Sequence, residues 1–410
     1  MASPLSRLAL KLPFGLEWLP PSTFLVGGAL RDALLERQTE TLDLDFVVPV
    51  AAVETARRIA RHYQAGFVVL DEQRHIARVV FAAGTVDFAQ CSGDSLATDL
   101  RRRDFTINAI AYSFHNNTLV DPLQGLVDLK QKTIKMISPA NLQDDPLRLL
   151  RAYRQAAQLD FSIDPATVST IEQLAPLLGT VAAERVRTEL GYLLAIRRSD
   201  WLQAAWQVGL LQPWLPTLTR EKLRQVARID DAVHTLGATW TEFRARSEWS
   251  WLAKLACLVS TPPGTAEAEL MALKYSRSQI RAIVTVLKHW PQLQRHRTAP
   301  LSLKEQYFLF LDVGNVFPVL ALLATAIEDA QAIASLLDRY FNPDDPVAHP
   351  RPLVTGDDLL NALTLSPSPQ IGRLLTDIQI AQIEGTISTR TEALEFAALR
   401  LQERQRDTPQ

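Results

Sequence analysis

The sequence predicts an α+β fold in which a small mixed β-sheet with flanking helices precedes an all-α remainder. Over roughly the first 135 residues, short apolar runs alternate with period two, and glycine-containing turns separate them from helical stretches. After Pro139 the pattern changes to long amphipathic helices almost to the C-terminus. Residues 342–356 interrupt these helices with four prolines, which is typical of a linker.

The periodicity predicts individual elements in both parts. In the α/β part these are a strand over 23–26, a helix over 29–37, a strand over 42–48, a helix over 51–63 and a hairpin of strands 77–81 and 85–89. The clearest helices beyond it cover 146–158, 183–196, 201–211 and 278–293. We therefore expect four segments, with bounds at 1–138, 139–215, 216–341 and 342–410.

Composition limits the class of protein. The chain has 410 residues, of which 47% are hydrophobic and 21% charged, as expected for a folded protein of several structural units. Its two cysteines are far apart and form no CxxC, which argues against a disulfide framework or a zinc site and fits a reducing cytoplasm. The net charge of −2 does not imply a general electrostatic attraction to nucleic acid, but arginines cluster locally, which suits an enzyme that holds and releases RNA.

The sequence predicts neither a secretory signal nor a membrane span. Arg7 and Lys11 interrupt the apolar stretch at the N-terminus, and prolines follow soon after. The longest apolar run, residues 316–327, is shorter than the roughly 20 residues that cross a bilayer.

Paired carboxylates on the second predicted strand are the sharpest local signal. Asp43 and Asp45 are two residues apart, so both side chains project from the same face of the strand. Two neighbouring like charges are unfavourable unless a cation lies between them, and oxygen ligands select hard ions such as Mg²⁺. A DxD pair alone is more often an exposed strand face, but the apolar neighbours here predict a partly buried strand.

Two further features extend this pattern. Asp87, on the second hairpin strand, would complete a three-aspartate site if that strand lay beside the first; in isolation it would be an edge-strand aspartate. Gly27 and Gly28 allow backbone amides to approach a phosphate closely, at the N-terminus of a predicted helix. Arg31, one turn later, is able to reach a phosphate oxygen.

Five ordered motifs are present over about residues 20–215. They are LVGGALRD at 25–32 followed by DLD at 43–45, RRDFTINA at 102–109, DPLQGLVD at 121–128, DDPLRLLRAYR at 144–154 and, more weakly, the pair Glu184-Arg185. In order and spacing they resemble the class II tRNA nucleotidyltransferases and the similar bacterial poly(A) polymerases of the DNA polymerase β superfamily.

The resemblance implies a role for each residue. Asp43 and Asp45 would be metal ligands with Asp87 as third acid, while Gly28 and Arg31 would hold the triphosphate. The nucleotide-binding residues would continue with Arg103, Asp104 near the ribose, Asp145, Arg148, Arg151 and Arg154. Asp145 accepts and Arg148 donates hydrogen bonds one helical turn apart, so this pair is able to read C or A without a nucleic-acid template. Arg151 and Arg154 continue the same helix face at three-residue spacing.

The function implied is addition of C, A or both to the 3′ end of tRNA from CTP and ATP, by two-metal catalysis with Mg²⁺, in a cytoplasmic protein. The resemblance also implies the names head, neck, body and tail for the four segments, with tRNA binding in the neck and tail. Two alternatives stay open: a poly(A) polymerase acting on RNA ends generally, and a non-catalytic RNA-binding protein on a transferase scaffold.

Two departures from the family pattern bear on specificity. The fourth motif begins Asp144-Asp145 where the family usually has Glu-Asp. Only 14 residues, 88–101, separate Asp87 from Arg102. Members that build the complete CCA end usually have a longer flexible loop there, so the short segment resembles members that add only CC.

Overall fold

The computed structural model describes residues 12–37, 42–197, 200–296, 299–327 and 333–406. Arg7 and Lys11, on which the prediction about a secretory signal depends, lie outside the described residues. The chain forms two compact units, Met1–Pro216 and Thr217–Gln410. The finer division into four segments stays a prediction.

The first unit contains all the strands that the structure describes. They are β1 Phe24–Val26, β2 Leu42–Val48, β3 Gly66–Asp71, β4 Ile76–Phe81, β5 Gly84–Gln90, β6 Ala111–Ser113, β7 Thr118–Val120, β8 Thr133–Ile134 and β9 Ser162–Ile163. Its helices are α1 Gly27–Leu34, α2 Ala52–His62, α3 Leu96–Arg101, α4 Gly125–Lys130, α5 Pro139–Asp144, α6 Leu147–Leu159, α7 Pro165–Leu174, α8 Ala183–Ala195 and α9 Asp200–Gln207.

Seven strands form one mixed sheet in the order β3-β4-β5-β2-β1-β6-β7. The β2–β5 pair is parallel and the other pairs are antiparallel. This arrangement confirms the predicted α+β class, and the β4–β5 hairpin closes where Gly84 was expected to turn the chain. Strands β3, β6 and β7 were not predicted, because β3 is a continuous apolar run and the other two have only three residues each.

The two faces of the sheet differ in polarity. Leu44, Phe46 and Val48 of β2 are buried, and the Phe46 ring stacks on Phe88 of β5 with centroids 5.5 Å apart. Burying each large apolar side chain contributes about 1.5–3 kcal/mol. Since alternate residues point to opposite faces, this packing fixes the carboxylates of β2 on the other face, and a slip of one residue would bury them in the core.

Helix α6 connects the sheet to the helical part of the first unit. It packs against α8 and α9, and its buried residues include Leu149, Leu150 and Tyr153. Pro146 lies at its N-cap, where the missing amide hydrogen costs nothing. The predicted helix over 146–158 is therefore present, but a break separates it from α5.

The second unit is helical throughout its described residues. Its helices are α10 Arg220–Leu236, α11 Glu242–Ala245, α12 Ser247–Leu258, α13 Pro263–Ala272, α14 Arg277–His296, α15 Leu303–Val313, α16 Phe317–Ile327, α17 Ala334–Phe341, α18 Gly356–Leu363, α19 Pro369–Ile383 and α20 Arg390–Arg406. Helices α10, α12, α14 and α16 pack together as its main core.

One described stretch, Leu303–Ile327, is long and apolar enough by length and composition alone to cross a membrane, and 61% of its most apolar part is buried inside the unit. It consists of α15, a 3₁₀ turn and α16. Since α16 packs against α10, α12 and α14, core packing accounts for its apolar composition.

The proline-rich segment 342–355, between α17 and α18, forms neither helix nor strand. Ion pairs hold it in place: Arg339 bonds Asp345 at 2.8 Å, and Arg351 bonds Asp344 at 2.7 Å. Helices α18, α19 and α20 share a hydrophobic cluster that includes Leu359.

Candidate active site

Three aspartates lie together on the open face of the sheet. Asp43 and Asp45 project from β2, and the parallel register places Asp87 of β5 directly opposite Asp45. The Thr85 hydroxyl, opposite Asp43, donates a hydrogen bond of 2.7 Å to the Asp43 Oδ1. The strand adjacency on which the three-aspartate hypothesis depended is therefore present.

The negative charge of Asp45 has fewer direct protein contacts than that of Asp43 or Asp87. Among the described residues no hydrogen bond or ion pair reaches its carboxylate, although the side chain is partly buried. Burial raises its pKa to about 6; the charges of Asp43 and Asp87 add to the rise, and Arg103 opposes it. A half-buried carboxylate with no direct ion pair among the described residues suits a divalent cation, which would supply compensating charge.

Asp87 is engaged by a residue that the sequence analysis did not identify. Arg78 of β4 donates from Nε to Oδ1 at 2.7 Å and from Nη2 to Oδ2 at 2.8 Å, a bidentate pair. The described residues contain no group of three His, Cys, Asp or Glu side chains arranged to hold a metal ion. Asp43 and Asp45 as the metal ligands, with Asp87 as third acid, stay a prediction.

Gly27 permits the approach of α1 to these carboxylates. Its φ of +77° lies in the left-handed region, and a Cβ at this position would be 2.7 Å from the Asp45 Oδ2. The next residue, Gly28, lies in the first turn of α1, where the unpaired backbone amides and the helix dipole attract anions. The glycine pair thus places an anion-binding helix terminus beside the acidic cluster.

Arg31 is held more tightly than the sequence suggested. Its side chain is only 11% exposed and pairs with Asp32. Its Nη1 donates to Asn108 Oδ1 at 2.9 Å and to Gln155 Oε1 at 3.2 Å. Most of its donors are therefore used within the protein, and its Nη2 is the group that lies closest to Gly28.

Asp104 and Arg151 form the centre of a buried polar network. Asp104 accepts hydrogen bonds from the Phe105 amide and the Asn108 side chain, and its Oδ2 pairs with Arg151 Nη2 at 3.0 Å. Burial alone would raise the pKa of Asp104, but Arg151 and these hydrogen bonds lower it, so the group stays ionised.

Two guanidinium donors at this site remain unsatisfied. The Nε atoms of Arg103 and Arg151 are buried and have no hydrogen-bond partner among the described residues. Arg103 is oriented by Asp99, which accepts from its Nη2 at 3.3 Å. Unpaired buried donors are uncommon, and here they leave positive charge available to an anionic ligand.

Asp145 and Arg148 lie close together, but not through a helical turn as expected. Asp145 is in the extended break after α5, and Arg148 is on the first turn of α6, with 4.0 Å between its Nε and the Asp145 Oδ2. The helix cannot include Asp145, because Pro146 disfavours helical geometry in the preceding residue. Arg185 of α8, from the weak fifth motif, bonds the Asp145 Oδ2 at 2.9 Å.

Arg154 is bound by residues of α6 and α8. Its guanidinium donates to Glu189 of α8 and to Gln158, and lies over the ring of Tyr192. Glu189, its partner, is buried and its charge also acts on Arg151, so the two arginines share a neighbour. A role for Arg154 in nucleotide binding stays a prediction.

Comparison with known proteins places this arrangement in a family. Family models match residues 23–135 (Poly A polymerase head domain), 160–222 (RNA and SrmB-binding site of polymerase A) and 243–398 (tRNA nucleotidyltransferase domain 2). The CC-adding tRNA nucleotidyltransferase of Synechocystis sp. is 50% identical over 97% of this chain and 99% of its own length. The chain belongs to the class II tRNA nucleotidyltransferase family.

Other family members match over nearly the full length. The CC-adding tRNA nucleotidyltransferase of Geobacter sulfurreducens is 34% identical over 92% of this chain and 91% of its own. A solved CCA-adding enzyme in complex with ATP has the same fold, with a TM-score of 0.73 at 22% identity, covering 92% of this chain and 91% of that one. The predicted α+β fold and the predicted family are confirmed.

Three contributors to this nucleotidyltransferase site escaped the sequence analysis. Arg78 alternates correctly on its strand to share the face of Asp87, and Asn108 lies inside the RRDFTINA motif. Gln155 lies four residues after Arg151 on α6, a spacing that places both on one helix face. In the sequence, Gln155 is a polar residue between apolar neighbours four positions after Arg151, and this pattern could have identified it as a site residue.

Proposed function

We propose that this protein adds two cytidylates to the 3′ end of tRNA from CTP and then stops, with Mg²⁺ as the metal and in the cytoplasm, where tRNA matures. Both full-length relatives described above carry out CC addition. The family as a whole uses divalent metal, and a pair of carboxylates with one uncompensated member suits Mg²⁺.

The observation that carries the restriction to CC is the connection between β5 and α3. The Ser92 amide donates to Asp99 at 3.1 Å and the Ser92 hydroxyl accepts from Arg102, so the start of the segment is bonded to α3 and its C-cap residue. Ser95 then caps α3 by accepting from the Thr98 amide. A short connection fixed in this way leaves no free segment to rearrange between C and A addition.

A cation held by Asp43 and Asp45 would neutralise charge on the triphosphate and the leaving pyrophosphate. The amides at the start of α1, with Gly27 and Gly28, orient the triphosphate. Asp87, the third acid, contributes negative charge beside Asp45, and Arg78 fixes the orientation of its carboxylate.

Base selection follows from the Asp145–Arg148 pair. The Asp145 carboxylate accepts from the N4 amino group of cytosine, while Arg148 donates to N3 and O2. Uracil presents an acceptor in place of that amino group and is therefore repelled by Asp145. Adenine also presents an amino group beside an acceptor, so exclusion of ATP depends on the fixed β5–α3 connection rather than on this pair.

Primer extension tests the proposal directly. Purified protein is incubated with tRNA that lacks its CCA end, with CTP, ATP or both, and the products are resolved at single-nucleotide resolution. We expect two cytidylates with CTP and no further growth when ATP is added, and no extension of tRNA ending in CC by ATP. A complete CCA end would overturn the restriction, and growth of an unstructured RNA as efficiently as tRNA would favour a general polymerase.

A further inference from the structure

We propose that Gln155 is a positioning residue that joins the base-reading helix α6 to Arg31 of the phosphate-binding helix α1. This inference rests on the proposed function, because it concerns how the same site holds a nucleoside triphosphate. No motif of the family resemblance includes Gln155.

Gln155 is a junction of two hydrogen bonds on one atom. Its Oε1 accepts from Arg31 Nη1 at 3.2 Å and from Asn108 Nδ2 at 3.0 Å. The side chain is 2% exposed, so water does not compete for this oxygen. Both hydrogen bonds join α6 to residues of the α/β part of the unit that are distant in the sequence.

The same oxygen closes a ring of polar contacts. Asn108 accepts from Arg31 through Oδ1 at 2.9 Å and donates to Asp104 Oδ1 at 2.9 Å. Asp104 in turn pairs with Arg151, one turn before Gln155 on α6. Arg31, Asn108 and Gln155 are each bonded to the other two, so the orientation of each side chain depends on both partners.

The ring determines which part of Arg31 remains for a ligand. Nε and one Nη2 hydrogen face Asp32, and Nη1 serves Asn108 and Gln155. The guanidinium has five N–H donors, so one hydrogen on Nη2 is left. That nitrogen is the atom that a Cβ on Gly28 would meet, at 3.7 Å.

Gln155 thus aims the remaining donor of Arg31 at the phosphate loop and makes its position depend on α6. Base contacts near Arg148 and phosphate contacts near Gly28 are then held at a fixed separation by the protein. Loss of the Gln155 oxygen would leave an unpaired buried donor on Arg31 and let its guanidinium turn.

Nucleotide binding without tRNA tests this directly. Dissociation constants for CTP and CMP in Mg²⁺ are measured on the full-length wild-type protein and on Gln155→Met. We expect CTP binding to weaken about tenfold, as loss of one hydrogen bond near a charge implies, and CMP binding to change less than twofold. CMP lacks the β- and γ-phosphates, so it reports on base and ribose contacts without the triphosphate end.

Matched variants separate positioning from folding. Gln158→Met changes the same residue type one turn later on α6, where the amide oxygen accepts from Arg154, and CTP binding should stay at the wild-type value. Gln155→Glu keeps an acceptor oxygen and should restore CTP binding to within about threefold. If Gln155→Met fails to fold, Gln155→Asn replaces it, because the amide is retained but is too short to reach Arg31.

A double-mutant cycle gives the decisive outcome. In an Arg31→Lys background, Gln155→Met should weaken CTP binding no further, since the donor that it positions is gone. Equal weakening for CTP and CMP, or full additivity with Arg31→Lys, overturns the proposal. If the wild type binds CTP and extends tRNA while Gln155→Met behaves like it, only this inference fails; if the wild type binds no CTP, the proposed function fails.

Discussion

At the scale of single residues, the site combines one uncompensated charge with several that are fully paired. Asp45 has no partner among the described residues, whereas Asp87 is neutralised by Arg78 and Asp104 by Arg151. Burial therefore opposes the negative charge of Asp45, whereas Arg78 and Arg151 neutralise the charges of the other two carboxylates. We therefore expect substitutions at Asp45 to affect folding stability and activity in opposite directions.

Asp45→Asn should abolish nucleotide addition and stabilise the metal-free protein. The folded-state pKa of Asp45 is raised to about 6 from 3.8, so above that pH its charge opposes folding. The variant should be more stable by about 1–3 kcal/mol at pH 8 in EDTA, and this advantage should vanish as the pH falls towards 4. Thermal unfolding at the two pH values measures the stability difference, with Asp71→Asn as control. Mg²⁺ should raise the Tm of the wild type and of Asp71→Asn, but not that of Asp45→Asn.

Arg154→Met should damage stability more than nucleotide binding. It leaves Glu189, which is 8% exposed, without its cation, at a cost of about 1–3 kcal/mol. Urea denaturation and CTP titration on the same sample provide the comparison. A loss of CTP affinity as large as that caused by Arg148→Met would show that Arg154 does line the nucleotide pocket.

At the scale of elements, the break between α5 and α6 presents the acid and the arginine that select the base. Pro146 ends one helix and starts the next, which leaves Asp145 extended, within reach of Arg185 of α8. Three segments therefore meet at one carboxylate. Its orientation depends on the junction rather than on helix periodicity.

Asp145→Ala should relax the choice of nucleotide more than it reduces affinity. Removal of the carboxylate takes away the acceptor for the cytosine amino group and the repulsion of the uracil carbonyl. A good pair of base contacts discriminates by about 1–3 kcal/mol, so the CTP preference over UTP should fall by about ten- to a hundredfold. Single-nucleotide incorporation with each triphosphate measures the ratio; an unchanged ratio would remove Asp145 from base reading.

Much of this arrangement could be predicted from the residue pattern, and the misses have physical causes. Period-two alternation fixed the face of Asp43 and Asp45, and the strand bounds of β2 were predicted correctly. Contacts between distant segments were not predictable. The ion pairs Arg78–Asp87 and Arg154–Glu189 form because the fold brings these residues close together in three dimensions. Helical spacing also misled at Asp145, because the following proline breaks the helix.

At the scale of the whole molecule, the described candidate site residues all belong to the unit Met1–Pro216. The unit Thr217–Gln410 has its own helical core. A fragment ending at Pro216 should therefore bind CTP with an affinity within about threefold of the full chain, because no contact to the nucleotide is removed. Calorimetry measures it, and electrophoretic mobility shifts should show weaker tRNA binding; a fragment without CTP affinity would show that the second unit completes the site.

The parallel pairing of β2 and β5 has a consequence for how the protein matures. Helix α2 and strands β3 and β4 lie between β2 and β5 in the sequence. Asp45 and Asp87 therefore come together only after these elements have formed and β5 has paired with β2. Such long-range pairing is slow to form compared with the local hairpins. Cation affinity should therefore emerge late during refolding, and the kinetics of Mn²⁺ uptake would time the closure of the sheet.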